Sequence, residues 1–86
     1  MGYRQTALDK TNKKPWGWIE CPYSGKNYRE KDMDADHIWP RKYGGTDHSF
    51  NLVMAGRSEN RSKGAKIDRR VVKGYYHNIK QSLSSK

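Results

Sequence analysis

The sequence predicts a small α+β domain: two short strands and a helix, followed by a C-terminal amphipathic helix and preceded by a basic N-terminal arm. Three observations predict it. Residues 33–38 (MDADHI) and 51–55 (NLVMA) have strand length, and Pro40, Gly44-Gly45 and Gly56 stop regular pairing around them. Ser58 stands where a helix N-cap belongs, just ahead of Asn60 and Lys63. Residues 67–80 put Ile67, Val71, Val72, Tyr75, Tyr76 and Ile79 on one helical face and leave Arg69, Arg70, Lys73 and Lys80 mostly off it.

The elements follow in order. Residues 1–14 are polar and aperiodic, with Lys13-Lys14 before Pro15, and read as a flexible basic arm. Trp16-Gly17-Trp18-Ile19 is the first strongly apolar run and suits a short strand with both tryptophans on one face. Cys21-Pro22-Tyr23-Ser24-Gly25-Lys26 carries turn chemistry, and Tyr28 starts the return. The strand at 33–38 carries Asp36 and His37 near its end, and residues 40–50 form a loop in which Gly44-Gly45 permit unusual backbone angles. After the strand at 51–55, a short helix runs from Ser58 to Gly64, and the helix at 67–80 is followed by a fraying tail at 81–86. The organisation is therefore an arm at 1–14, one domain at 15–80 with its strand–loop–strand–helix core at 33–64, and the tail. The Tyr75-Tyr76 pair reads as core.

Size and composition bound the chemistry. A chain of 86 residues with 33% apolar content makes one domain with a thin core, and scaffolds of this size usually need a staple. Cys21 is the only cysteine, so there is no intrachain disulfide and no complete thiolate zinc knuckle, which points to a reducing compartment and a cytoplasmic protein. No apolar leader and no stretch of about 20 apolar residues is present, so neither a secretory signal nor a membrane span is expected.

The net charge of +9 is unevenly spread. Residues 1–30 hold 6 basic and 3 acidic side chains, residues 31–56 hold 3 and 4, and residues 57–86 hold 9 and 2. A net-negative centre between basic flanks suits a protein that binds a polyanion while holding a cation. That centre carries the chemistry. A carboxylate (Asp36), an imidazole (His37) and two carboxamides (Asn51, Asn60) recur in a fixed order. The carboxylate can hold a divalent cation, the imidazole can activate water, and a polar residue on a later element can complete the ligands. Asn60 and Lys63 share a helix face, so a helix packed across the strands can bring Asn60 opposite Asp36.

Asp36-His37-Ile38-x-Pro40, Gly44-Gly45, Asn51-Leu52 and Asn60-Arg61-Ser62-Lys63-Gly64, in that order, resemble the HNH nucleases and their ββα-metal motif over residues 19–66. Cys21-x-Tyr23-Ser24-Gly25-Lys26 is also similar to the HNH domain of RNA-guided effector nucleases, although this chain has no room for guide-RNA machinery. The resemblance implies that His37 is the general base, Asp36 and Asn60 are metal ligands, and Asn51 braces the loop and so orients His37. It also implies that Lys63 contacts a phosphate or steadies the transition state. The expected reaction is hydrolysis of double-stranded DNA, as an endonuclease or nickase, leaving 5′-phosphate and 3′-hydroxyl ends. Arg41, Lys42, Arg57, Arg61, Lys66, Arg69 and Arg70 are the expected nucleic-acid contacts.

Two departures from the family pattern matter. Asn60 replaces the usual third histidine, giving an HNN variant whose all-oxygen ligand set favours one Mg²⁺ or Mn²⁺ over Zn²⁺. Ser24 stands where a second cysteine would be, so no structural zinc is expected, and packing of Trp16, Trp18, Tyr23 and Tyr28 is expected to replace it. A small HNH protein of this kind fits a phage or mobile-element setting, with packaging or recombination proteins as candidate partners. Two alternatives stand beside the nuclease reading: a DNA-binding module with an HNH fold and little activity, and a toxin-type nuclease with an immunity partner.

Overall fold

Met33–His37 (β3) and Leu52–Gly56 (β4) pair antiparallel, with Met33 opposite Gly56 and His37 opposite Leu52. The structure, a computed structural model, describes residues 2–84. Tyr3–Asp9 (α1) precedes a second, two-residue hairpin of Ile19–Glu20 (β1) and Asn27–Tyr28 (β2), and β4 leads directly into Arg57–Lys63 (α2) and then Arg69–Ser84 (α3). This is the expected α+β arrangement.

All five residues of β4 are buried, because α1 and α2 both pack on the β3–β4 pair. The core gathers Ala7, Ile19, Cys21, Tyr23, Met33, Ile38, residues 52–55 of β4 and Val71 from elements spread along the chain. Two close approaches explain two glycines. A Cβ at Gly45 would lie 1.7 Å from the Trp39 carbonyl oxygen, so only glycine lets the 40–45 loop fold back on Trp39. A Cβ at Gly74 would lie 2.9 Å from Ile38 Cγ1, so glycine there seats α3 against Ile38.

The β1–β2 hairpin is tied to α2 by polar contacts. Ser24 and Tyr28 hydroxyls donate to one Glu59 oxygen, each at 2.6 Å, and Ser58 donates to the other at 2.8 Å. Burial works against the Glu59 charge, but these three donors outweigh it and hold the carboxyl down at about 2.

Several expectations are corrected. Residues 3–9 of the supposed flexible arm are helical: Ala7 is fully buried, and Arg4 donates to the Met33 and Glu30 carbonyls at 2.7 and 3.0 Å. About two helical turns with Ala7 and Leu8 facing β3 and β4 are too short to announce themselves by periodicity, and tertiary packing decides the helix. Trp16 and Trp18 do not share a strand face. Pro15–Gly17 is a single 3-10 turn and the strand starts only at Ile19. Trp16 is 87% exposed and Trp18 38%, so of the four aromatics expected to replace zinc only Tyr23 is buried, with Tyr28 partly so.

Gly56, not Ser58, caps α2. The C-terminal helix starts two residues later than expected and continues through Ser84, where fraying was expected; residues 85–86 of that tail lie outside the described residues. Its buried face is Val71, Gly74 and Asn78 with Tyr75 half-buried, while Ile67, Val72, Tyr76 and Ile79 are exposed. Among the described residues no helix is long and apolar enough to cross a membrane.

Candidate active site

The C-terminal end of β3 delivers Asp36 and His37 as neighbours, so their side chains leave on opposite faces of the strand. Asp36 turns inward and is only 6% exposed. Its Oδ2 accepts from the Tyr23 hydroxyl at 2.5 Å and pairs with the Lys63 ammonium at 3.2 Å. Burial pushes the Asp36 carboxyl above the usual range, and the Tyr23 hydroxyl and Lys63 charge oppose that shift without cancelling it. Burial and the adjacent carboxylate push the Tyr23 phenol strongly upward, so it remains a donor. Both neighbours engage Oδ2, and no described residue engages Oδ1.

His37 Nε2 lies 2.7 Å from Asp47 Oδ1, and the Tyr3 ring meets the imidazole edge-on at 4.6 Å between centroids. The hydrogen bond with His37 holds the Asp47 carboxyl below its ordinary range. An ionised carboxylate only accepts, so the neutral imidazole carries its proton on Nε2 and keeps the Nδ1 lone pair.

Asn51 sits in the 3-10 turn Ser49–Asn51 and is buried. All its hydrogen-bonding capacity is used on the loop and α3. Nδ2 donates to the Trp39 and Thr46 carbonyls at 3.1 and 2.9 Å. Oδ1 accepts from the Trp39 amide at 2.9 Å and the Tyr75 hydroxyl at 2.7 Å. Its own carbonyl accepts from the Ile38 amide at 2.8 Å, directly after His37.

One cleft of about 260 Å³ is lined by Asp36, His37 and Asn60, with Tyr3, Arg41 and Lys42 among its other walls. Helix α2 starts immediately after β4 and crosses the sheet, which is why Asn60 reaches the end of β3. Among the described residues no group of three or more His, Cys, Asp and Glu side chains is placed to hold a metal. The fit of a cation therefore rests on the Asp36 carboxylate and Asn60 carboxamide in this cleft. Two hard oxygen donors and open space suit a small divalent cation that keeps several waters.

The remaining expected site residues divide. Lys63 is fully buried, and its ammonium reaches Asp36 and the His37 carbonyl at 3.0 Å, so the expected phosphate contact is corrected. Arg57 is turned toward Asp34 at 3.4 Å and the Lys31 carbonyl at 2.9 Å. Arg70 binds Asp68 at 2.6 Å and Ser62 at 3.2 Å. Arg61, Lys66 and Arg69 are exposed, as are Arg41 and Lys42 at the cleft. Four residues at the site have no site role in the sequence reading: Asp47, Tyr3, Tyr23, read there as packing, and Tyr75, read there as core. Only Asp47 had a local signal, as a carboxylate in the loop between His37 and Asn51.

Compared with protein families, residues 21–68, more than half of the chain, match the HNH endonuclease family. No curated protein and no solved structure matches the chain.

Proposed function

The chain belongs to the HNH endonuclease family, and on that premise we propose that it hydrolyses phosphodiester bonds of double-stranded DNA with one Mg²⁺ or Mn²⁺ per site, leaving 5′-phosphate and 3′-hydroxyl ends. The observation that carries the reading is the cleft lined by Asp36, His37 and Asn60, together with the Asp36 Oδ1 that no described residue engages. Asp36 and Asn60 would hold the cation, which when bound would supply the positive charge that polarises the phosphate and stabilises the leaving oxygen.

His37 takes the proton of the attacking water on Nδ1. Asp47 fixes the ring through Nε2 and stabilises the imidazolium that forms, so it is a positioning residue for the base. Asn51 holds the loop that carries Asp47, and ties the Ile38 amide to its own carbonyl. Lys63 anchors the Asp36 carboxylate and the His37 backbone from below. Arg41 and Lys42 at the cleft, with the exposed Arg61, Lys66 and Arg69, provide phosphate contacts. One site cuts one strand, so the product of a single encounter is a nick.

Supercoiled plasmid tests this. Nicking is expected with Mg²⁺ or Mn²⁺, to stop in EDTA, and to vanish in His37→Ala with the melting temperature retained. Cleavage that persists in chelator, or in His37→Ala, removes the mechanism. Plasmid binding without any metal-dependent nicking instead makes the chain a DNA-binding module. Asp47→Asn is expected to lower kcat roughly 10- to 100-fold with KM nearly unchanged; a change in KM alone would give Asp47 a binding role.

A further inference from the structure

Trp16 is 87% exposed and sits in the left-handed backbone region, at φ 63° and ψ 18°. Bulky residues rarely adopt that conformation, so the fold holds an unfavourable backbone in order to present a large apolar ring to solvent. The presentation is braced. The Arg29 guanidinium lies 3.8 Å from the centre of the Trp18 ring, and its NH1 group donates to the Trp16 carbonyl. Beside the two tryptophans runs an open groove of about 710 Å³, lined also by Lys14, Lys26 and Asn27. No carboxylate lines it; Lys26 has no acidic partner among the described residues, while the Lys14 ammonium lies 3.6 Å from the half-exposed Glu20 carboxylate outside the groove, a surface pair that a phosphate can displace. The groove shares no lining residue with the cleft of Asp36, His37 and Asn60.

We propose that this groove is a second nucleic-acid site, which takes an unpaired base of single-stranded DNA on Trp16 and its flanking phosphates on Lys14 and Lys26. Aromatic rings beside cations make a stacking platform that tolerates sequence, because every base has a face to stack. Charge complementarity selects this occupant over an acid-free apolar peptide: the groove's two charged lining groups are both lysines, in a chain of net charge +9. The proposal rests on the reading of DNA as the substrate. It gives the nuclease a hold on locally opened or gapped DNA, apart from the duplex at the catalytic cleft.

The test is anisotropy of a labelled 12-nucleotide oligothymidine and of a blunt duplex of equal length, in EDTA so that nothing is cut. Trp16→Ala is expected to weaken single-strand binding roughly tenfold, the worth of one stacked base, and to leave duplex binding within about twofold. Trp16→Asn, which suits the left-handed backbone, is expected to behave likewise and guards against a folding artefact. Lys26→Gln is expected to flatten the single-strand salt slope by about 0.7. Unchanged single-strand affinity in both Trp16 variants overturns the proposal, as does equal loss on duplex. A wild-type dimer in sedimentation that Trp16→Ala dissociates also overturns it, and assigns the groove to a second copy of the chain. Metal-dependent plasmid nicking by the same proteins separates the two readings. A wild type that fails to nick but keeps the Trp16 effect loses the nuclease and keeps the groove.

Discussion

The Lys63 ammonium, with no exposed surface, lies 3.2 Å from Asp36 Oδ2 in the interior of a domain whose charged residues mostly face water. Removing one partner of a buried pair leaves the other charge uncompensated. Lys63→Met is therefore expected to cost about 3 kcal/mol of stability in urea unfolding. The Asp36→Asn, Lys63→Met double variant is expected to recover part of that loss, a coupling a double-mutant cycle reads directly. Additive losses would mean the two side chains act independently.

Asn51 and Tyr75 form a second tie, between the site loop and α3. Asn51→Ala strands the Trp39 amide and the carbonyls of Trp39 and Thr46, and is expected to cost about 3 kcal/mol along with most of the nicking activity. Tyr75→Phe removes one of the four side-chain bonds and is expected to cost about 1 kcal/mol. Thermal melts of the two variants check the ranking, and an unchanged melting point in Asn51→Ala would deny it the bracing role.

A cation that binds the folded state alone raises the melting temperature with its concentration. At 100 times its dissociation constant the gain is about 2.7 kcal/mol. Wild type is expected to show that rise with Mg²⁺ or Mn²⁺, and Asn60→Ala to need far more metal for the same shift. Superimposable titrations of the two proteins would take Asn60 out of the ligand set.

Glu59 predicts an acid limb of stability. Its folded value, about 2, lies below its ordinary 4.5. The contribution is therefore full above pH 4.5 and is lost as pH falls through about 2. Glu59→Gln is expected to flatten the pH dependence of unfolding in that window, leaving the slope due to Asp47 and Asp68, whose carboxyls are also held low. A variant as steep as wild type would show that the Ser24, Tyr28 and Ser58 donors contribute little.

The parts of the molecule legible in the sequence are those set by local chemistry. Pro40, the Gly44-Gly45 pair and Gly56 bound β3 and β4, and the boundaries of those strands follow within a residue. Asp36, His37 and Asn60 line one cleft because a strand and the helix that crosses it place them there. What the sequence did not disclose depends on partners far along the chain. Tyr23 reaches Asp36 across 13 positions and Tyr75 reaches Asn51 across 24. Lys63 reads as one more cation in a basic segment, because charge is visible in a sequence and burial is not. Helix α1 fails as a pattern for the same reason: its buried residue is an alanine, and its stability comes from the sheet beneath it.

The family match ends at residue 68 and begins at 21, yet the ring against His37 belongs to Tyr3 and the hydroxyl on Asn51 to Tyr75. The signature therefore is not portable. Residues 21–68 transplanted into another scaffold would carry every letter of the motif and leave its imidazole and its bracing carboxamide unsupported on their outer sides. Change in the flanks can thus retune the site while the motif itself stays the same.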